Sequence, residues 1–153
     1  MKIDTSKSEI NFTIKKLLFL TVKGTIPDVK GEIDLNESNL SDSKIDLTIS
    51  TASIDTKNAK RNEHLLQEDF FHVEKYPEIT FKSSSIKKEN ETYVAKGELN
   101  IIGAINTIQI PFQINNNKVT GEFSLNRMDF KLGKIPAFVA SNTVNISFKC
   151  SLK

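Results

Sequence analysis

An all-β fold of eight or nine antiparallel strands, broken once by a short helical insert, follows from three features of this sequence. Apolar and polar residues alternate along most of the chain, the period-two signature of half-buried strands. The long apolar runs and helical crossovers that mark buried parallel strands do not occur between those segments. One stretch, Ser53–Phe81, drops the alternation and takes up a helical spacing. A sheet with one apolar and one polar face has two ways to bury the first: a sandwich or a closed barrel. The length of 153 residues is read as one domain, 1–153, with room for a real core.

The elements follow in order. Ile10, Phe12 and Ile14 alternate with Asn11, Thr13 and Lys15 in the first strand, and the apolar run Leu17–Leu20 ends it in a bend or helical turn. Alternation resumes at Val22, Gly24 and Ile26, turns at Pro27-Asp28, and returns at Val29, Gly31, Ile33 and Leu35. Asn36–Ser43 is polar and reads as a surface loop. Ile45, Leu47, Ile49 and Thr51 share one face of the next strand. Beyond the insert, Ile79, Phe81 and Ser83 start a strand, which a turn at Glu89–Glu91 joins to Tyr93, Ala95, Gly97, Leu99 and Ile101. Ile108, Ile110, Phe112 and Ile114 lead through a turn at Asn115–Asn117 to Val119, Gly121, Phe123 and Leu125. The last strand carries Val144, Ile146, Phe148, Cys150 and Leu152.

The apolar face mixes large residues with Gly24, Gly31, Ser83, Gly97 and Gly121. A barrel of about eight strands is just wide enough to be filled by side chains or to hold one small ligand. The small residues therefore either open space in the interior or mark bulges and bends that curve the sheet, and the two are compatible.

Within the insert, Leu66, Phe70 and Val73 stand at i, i+4 and i+7, with Asn58 and Asn62 as N-cap candidates and Pro77 forcing an extended exit. One or two short helices over about 57–74 are expected, their apolar face capping one end of the barrel. His64 and His72 are eight residues apart, about 12 Å along a continuous helix, so both would ligate one ion only across a kink, with Glu68 or Asp69 as a third ligand. His64 beside Asp69 has the makings of a base and its orienter. An enzyme using His64, Asp69 and His72 is accordingly the alternative to a binding protein. No Ser or Cys stands in a nucleophile context, Cys150 reads as a small inward hydrophobe, and no phosphate-loop, dinucleotide, HExxH or CxxC motif occurs.

Bulk composition excludes other classes. A formal charge of +2 is too small and too dispersed for a nucleic-acid binder. One cysteine permits neither an internal disulfide nor a multi-cysteine metal site. No apolar run approaches the roughly 18 residues that would span a membrane as a helix. The amino-terminal residues lack the apolar core of a secretory signal, so a cytoplasmic location is expected, or a periplasmic one if a leader has been trimmed.

Ser53, Asp55 and Thr56, then Arg61, His64 and Leu65, then Asp69-Phe70-Phe71, then Tyr76-Pro77, Ile79 and Phe81 resemble the S-x-D-T, R-D-x-H-L, D-F-F and Y-P-x-I-x-F signature of the YceI-like family. Phe12–Ile14 with Leu17, Val22 and Gly24, then Gly97, Leu99 and Gly103, then Asn126-Arg127 with Asp129-Phe130, extend the likeness along the chain. Asn62 and His72 stand where the family usually has acidic residues, and Asn106-Thr107 where it has Thr-Lys.

The resemblance implies a lipocalin-like antiparallel β-barrel around an apolar tunnel. It also implies binding of a long-chain ligand: an isoprenoid such as a polyprenyl phosphate or quinone, or another fatty-chain lipid that co-purifies. No cofactor is required. The expected lining is Phe12, Ile14, Phe81, Leu99, Ile101, Phe112, Phe123 and Phe148. Arg127 is expected either to reach a ligand head group or to pair with Asp129 or a neighbouring carboxylate. A third reading, an interaction module or homodimer, would use the run Leu17–Leu20.

Overall fold

The computed structural model describes residues 1–16, 20–133 and 140–153. Most of the expected Leu17–Leu20 patch lies outside the described residues; Leu20 itself is exposed. The strands are β1 (Ile3–Lys16), β2 (Thr21–Ile26), β3 (Val29–Asp34), β4 (Lys44–Ser50), β5 (Glu78–Glu89), β6 (Thr92–Ile101), β7 (Ala104–Asn115), β8 (Lys118–Asn126) and β9 (Ala140–Leu152). Neighbouring strands pair antiparallel, and among the described residues the nine strands form a single sheet in the order β2-β1-β9-β8-β7-β6-β5-β4-β3.

Tight turns set the meander. Asn116 and Asn117 both take positive φ (51° and 60°) between β7 and β8, the backbone of a two-residue turn whose twist matches its strands. Ile102 and Gly103 do the same between β6 and β7 (φ 47° and 79°), although a β-branched residue is costly in that region.

The sheet curls until its ends meet, which resolves the choice between sandwich and barrel. Near its start β1 has an irregularity between Asp4 and Glu9. Ser8 stitches it: its buried hydroxyl donates to the Asp4 carbonyl at 2.8 Å and accepts from the Ser151 N–H at 3.0 Å. The bent strand carries Met1 and Lys2 across to β3. There Lys2 bridges Glu32, the Met1 carbonyl accepts from the Ile33 N–H at 2.9 Å, and the terminal amine meets Asp34 at 2.8 Å. A second bridge, Thr25 to Asp55, ties β2 to the chain beyond β4.

The small inward residues serve curvature and close packing rather than empty space. A Cβ on Gly24 would strike the Phe12 ring, and one on Gly121 would strike the Phe148 ring; each phenylalanine lies directly across from its glycine. At Gly97 the obstacle is the Phe81 ring together with the β5 backbone. Ser83 sits at a bulge, where its hydroxyl accepts from the Ile45 N–H at 2.8 Å, and the shift in register returns Ile86 to the core.

The insert is less helical than its spacing implies. One α-helix, α1 (Ala59–Leu65), is capped by the Asn58 side chain, which accepts from the Arg61 N–H at 3.0 Å. Asn62, the other cap candidate, accepts from the Thr56 N–H and hydroxyl at 2.8 and 2.6 Å and donates to Asp55 at 3.1 Å. Past Leu66 the chain goes through turns, with the Phe71 N–H on the Leu65 carbonyl, the Val73 N–H on the Leu66 carbonyl, and His72 at φ 45°. Leu66, Phe70 and Val73 are therefore not one helical stripe. The bond from the Phe71 N–H to the Leu65 carbonyl brings the chain back to the end of α1, where the Phe70 ring meets His64 edge-on at 5.1 Å.

Candidate functional site

An apolar cavity runs down the barrel beneath this insert. Its upper chamber, about 420 Å³, lies between the ends of β1, β2 and β9 and the underside of the cap. A lower chamber of about 130 Å³ continues toward the end where β1 meets β3. Both are lined by Ile10, Ile26, Ile79, Ile101, Leu125 and Ile146, which form a waist between them.

The nine residues expected from the sequence all line this space. Phe12, Ile14 and Arg127 face the upper chamber, Ile101 is at the waist, and Phe81, Leu99, Phe112, Phe123 and Phe148 surround the lower chamber. Sequence reasoning missed Ile10, Val22, Leu125, Val144 and Ile146 as lining residues, although the alternation that selects Phe12 and Phe148 contains them. It also missed Phe130 and did not place Arg61, His64, Leu65, Phe70 and Phe71 in the lining, whereas they form the roof of the upper chamber.

The contacts described for Arg127 run to backbone carbonyls rather than to Asp129. Its side chain is buried, with Nε donating to the Ser141 carbonyl at 3.1 Å, Nη1 to those of Leu132 and Gly133 at 3.2 and 3.1 Å, and Nη2 to that of Ala140 at 3.1 Å. Burial lowers its pKa, but an arginine starts so high that it stays charged. Those carbonyls belong to the two stretches flanking residues 134–139, so the guanidinium joins the end of β8 to the start of β9. Its flat fork of donors suits this role as an ammonium would not.

The cap is fixed by a smaller network. Arg61 donates through Nε to the Thr56 hydroxyl at 2.9 Å and through Nη2 to the Thr56 carbonyl at 2.7 Å, and Thr56 itself is buried. Asp55 accepts from the Lys57 N–H at 2.9 Å and the Asn62 amide at 3.1 Å. Those two bonds, the backbone one first, hold its carboxyl below the ordinary 3.8. A depressed carboxyl pKa adds stability above the unfolded value and loses it as pH falls through the folded one. Amide exchange at Lys57 and Asn62, corrected for intrinsic rate, should therefore accelerate below about pH 4 while the central strands stay protected. Asp55→Asn should abolish that acid dependence; an unchanged profile would remove Asp55 as its origin.

The catalytic alternative gains little. His64 Nε2 stands 3.8 Å from Asp69 Oδ2, longer than a hydrogen bond, and both side chains are exposed. His72 packs edge-on against Tyr76, with ring centroids 5.9 Å apart, and does not line the cavity. Among the described residues no three of His, Cys, Asp and Glu converge on a point. Cys150 faces the lower chamber with its thiol pushed up to about 11 by burial, which leaves it a poor nucleophile at neutral pH. Among the described residues no helix is long and apolar enough to cross a membrane.

Comparison with known proteins adds to this picture. The sequence model of the YceI-like domain matches residues 1–152. UPF0312 protein plu2095 of Photorhabdus laumondii is 38% identical over 113 residues, which is 74% of this chain and 56% of that protein. Protein YceI of Salmonella newport is 36% identical over 101 residues, 66% of this chain and 53% of that one. The chain thus spans about half the length of the curated relatives it matches. Burkholderia cenocepacia BcnA has the same fold, with a TM-score of 0.90 at 23% identity over 99% of both chains. A YCEI protein of Campylobacter jejuni aligns with a TM-score of 0.78 at 29% identity, covering 92% of this chain and 90% of its own. A polyisoprenoid binding domain from Saccharophagus degradans scores 0.73 at 18% identity, over 97% of this chain and 95% of that one.

Proposed function

The chain belongs to the YceI-like domain family, and from that premise we propose that it binds a long-chain apolar or amphiphilic molecule inside its barrel, as a carrier or a store. The ligand class is an isoprenoid, such as a polyprenyl phosphate or a quinone, or a fatty-chain lipid. One observation carries this reading: among the described residues, the lower chamber is lined by apolar side chains and Cys150, while the polar groups of the upper one come from Lys16, Arg61, His64 and Arg127. The lower chamber has nothing to orient a polar substrate. It can still hold a hydrocarbon chain tightly, because each buried methylene contributes about 0.8 kcal/mol. A polyisoprenoid-binding domain with the same fold supports the choice of ligand class. Binding of this kind requires no cofactor and no catalytic group.

Organic extraction of the purified protein followed by mass spectrometry, with titration of added palmitate, farnesyl phosphate and a short-tailed quinone, tests the proposal. A bound lipid, or saturable uptake of at least one probe, is the expected result. A lipid-free extract together with no uptake of any probe would sink it.

A further inference from the structure

Resting on that reading, we propose that the cavity selects an anionic amphiphile with one chain of about sixteen to twenty carbons, its head held at the mouth by Lys16, Arg61 and His64. The first argument is charge. Among the described residues, every polar one lining the upper chamber is a base, and the apolar lower chamber admits only the tail. Arg127 is committed to backbone carbonyls, so its contribution is positive potential from within the wall. Arg61 is different. Two bonds to Thr56 hold its guanidinium in place at the roof, and Nη1 takes part in neither. Lys16 ends β1 at the same mouth with an exposed side chain. Asp69 lies 3.8 Å from His64 with a well-exposed carboxylate that faces water more than the chamber. A carboxylate or phosphate monoester satisfies such donors through charge-assisted hydrogen bonds; an alcohol or a quinone carbonyl does so more weakly.

The second argument is volume. A methylene displaces about as much space as a water molecule, roughly 30 Å³, so chambers of 420 and 130 Å³ accommodate on the order of eighteen carbons. A lipid of many isoprene units exceeds that several-fold. Length is limited at the bottom by packed residues such as Ile3, Ile33 and Val119, which belong to the continuous core.

The test is a set of direct titrations with probes that separate head from tail: hexadecanoate, hexadecyl phosphate, hexadecanol, decanoate and a polyprenyl phosphate of about ten isoprene units. The two sixteen-carbon anions should bind at least tenfold more tightly than hexadecanol and more tightly than either decanoate or the polyprenyl phosphate. Arg61→Gln should weaken the anions about tenfold and hexadecanol much less. Because Arg61 also steadies the cap, Lys16→Gln provides a second variant, with the same selective loss to a smaller degree. Hexadecanol binding as tightly as hexadecanoate would overturn the proposal while leaving a lipid-binding barrel intact. So would equal weakening of alcohol and anion in both variants, or preference for the long polyprenyl chain. Failure of every probe to bind would overturn both this inference and the function it rests on.

Discussion

Arg127→Leu is expected to lower the unfolding free energy by about 3 kcal/mol or more, more than any other charged substitution in the barrel. Arg127 is 6% exposed, and its guanidinium donates to at least four backbone carbonyls, those of Leu132, Gly133, Ala140 and Ser141. Leucine has similar reach but no donor, so the carbonyls away from water lose their partners, each at a cost of about 1–3 kcal/mol. Arg127→Lys should recover less than half of the loss, because three donors on one nitrogen cannot cover carbonyls spread around a planar fork. Equilibrium urea unfolding at matched slope reads both effects. A midpoint for Arg127→Leu close to wild type would mean that water replaces the guanidinium, and that Arg127 does not hold the β8–β9 junction together.

Phe81→Ala is expected to cost about 3–5 kcal/mol. Phe81 is 2% exposed, faces the lower chamber, and lays its ring against Gly97 on β6. Removing the ring withdraws its transfer energy and leaves a void that close-packed neighbours cannot fill. The same void adjoins the chamber that ends the tail. The variant should therefore shift the preferred fatty acid to a longer chain while destabilising the empty protein. Denaturation measured with and without a series of fatty acids separates the two effects. Loss of stability with an unchanged chain-length optimum would mean that the lower chamber does not receive the tail.

Much of the site was legible because a period of two assigns sides. Once Phe12 and Ile14 are placed on one face of β1, the interior position of Ile101 or Phe148 follows from the same rule applied to other strands. The same alternation also contains Ile10, Leu125 and Ile146, which were overlooked although all three border both chambers. The glycines were harder to interpret. Alternation places Gly24 and Gly121 inside, but only their partners across the sheet reveal that Phe12 and Phe148 already occupy the space above them.

Sequence alone determined the strands, their sidedness and the turns, because all three depend on residues within a few positions of one another. It also determined that the stretch around Arg61–Phe71 would differ from everything beside it. Tertiary structure decided what required distant residues to meet. Among these are the closure of the sheet by Met1 and Lys2 on β3, and the capture of Arg127 by carbonyls on either side of residues 134–139. The end of α1 at Leu65 belongs with them, since local spacing favoured more helix and the turn that returns Phe71 to Leu65 overrode it. Helical propensity is worth only tenths of a kcal/mol per residue, whereas roofing an apolar chamber with Phe70 and Phe71 buries far more.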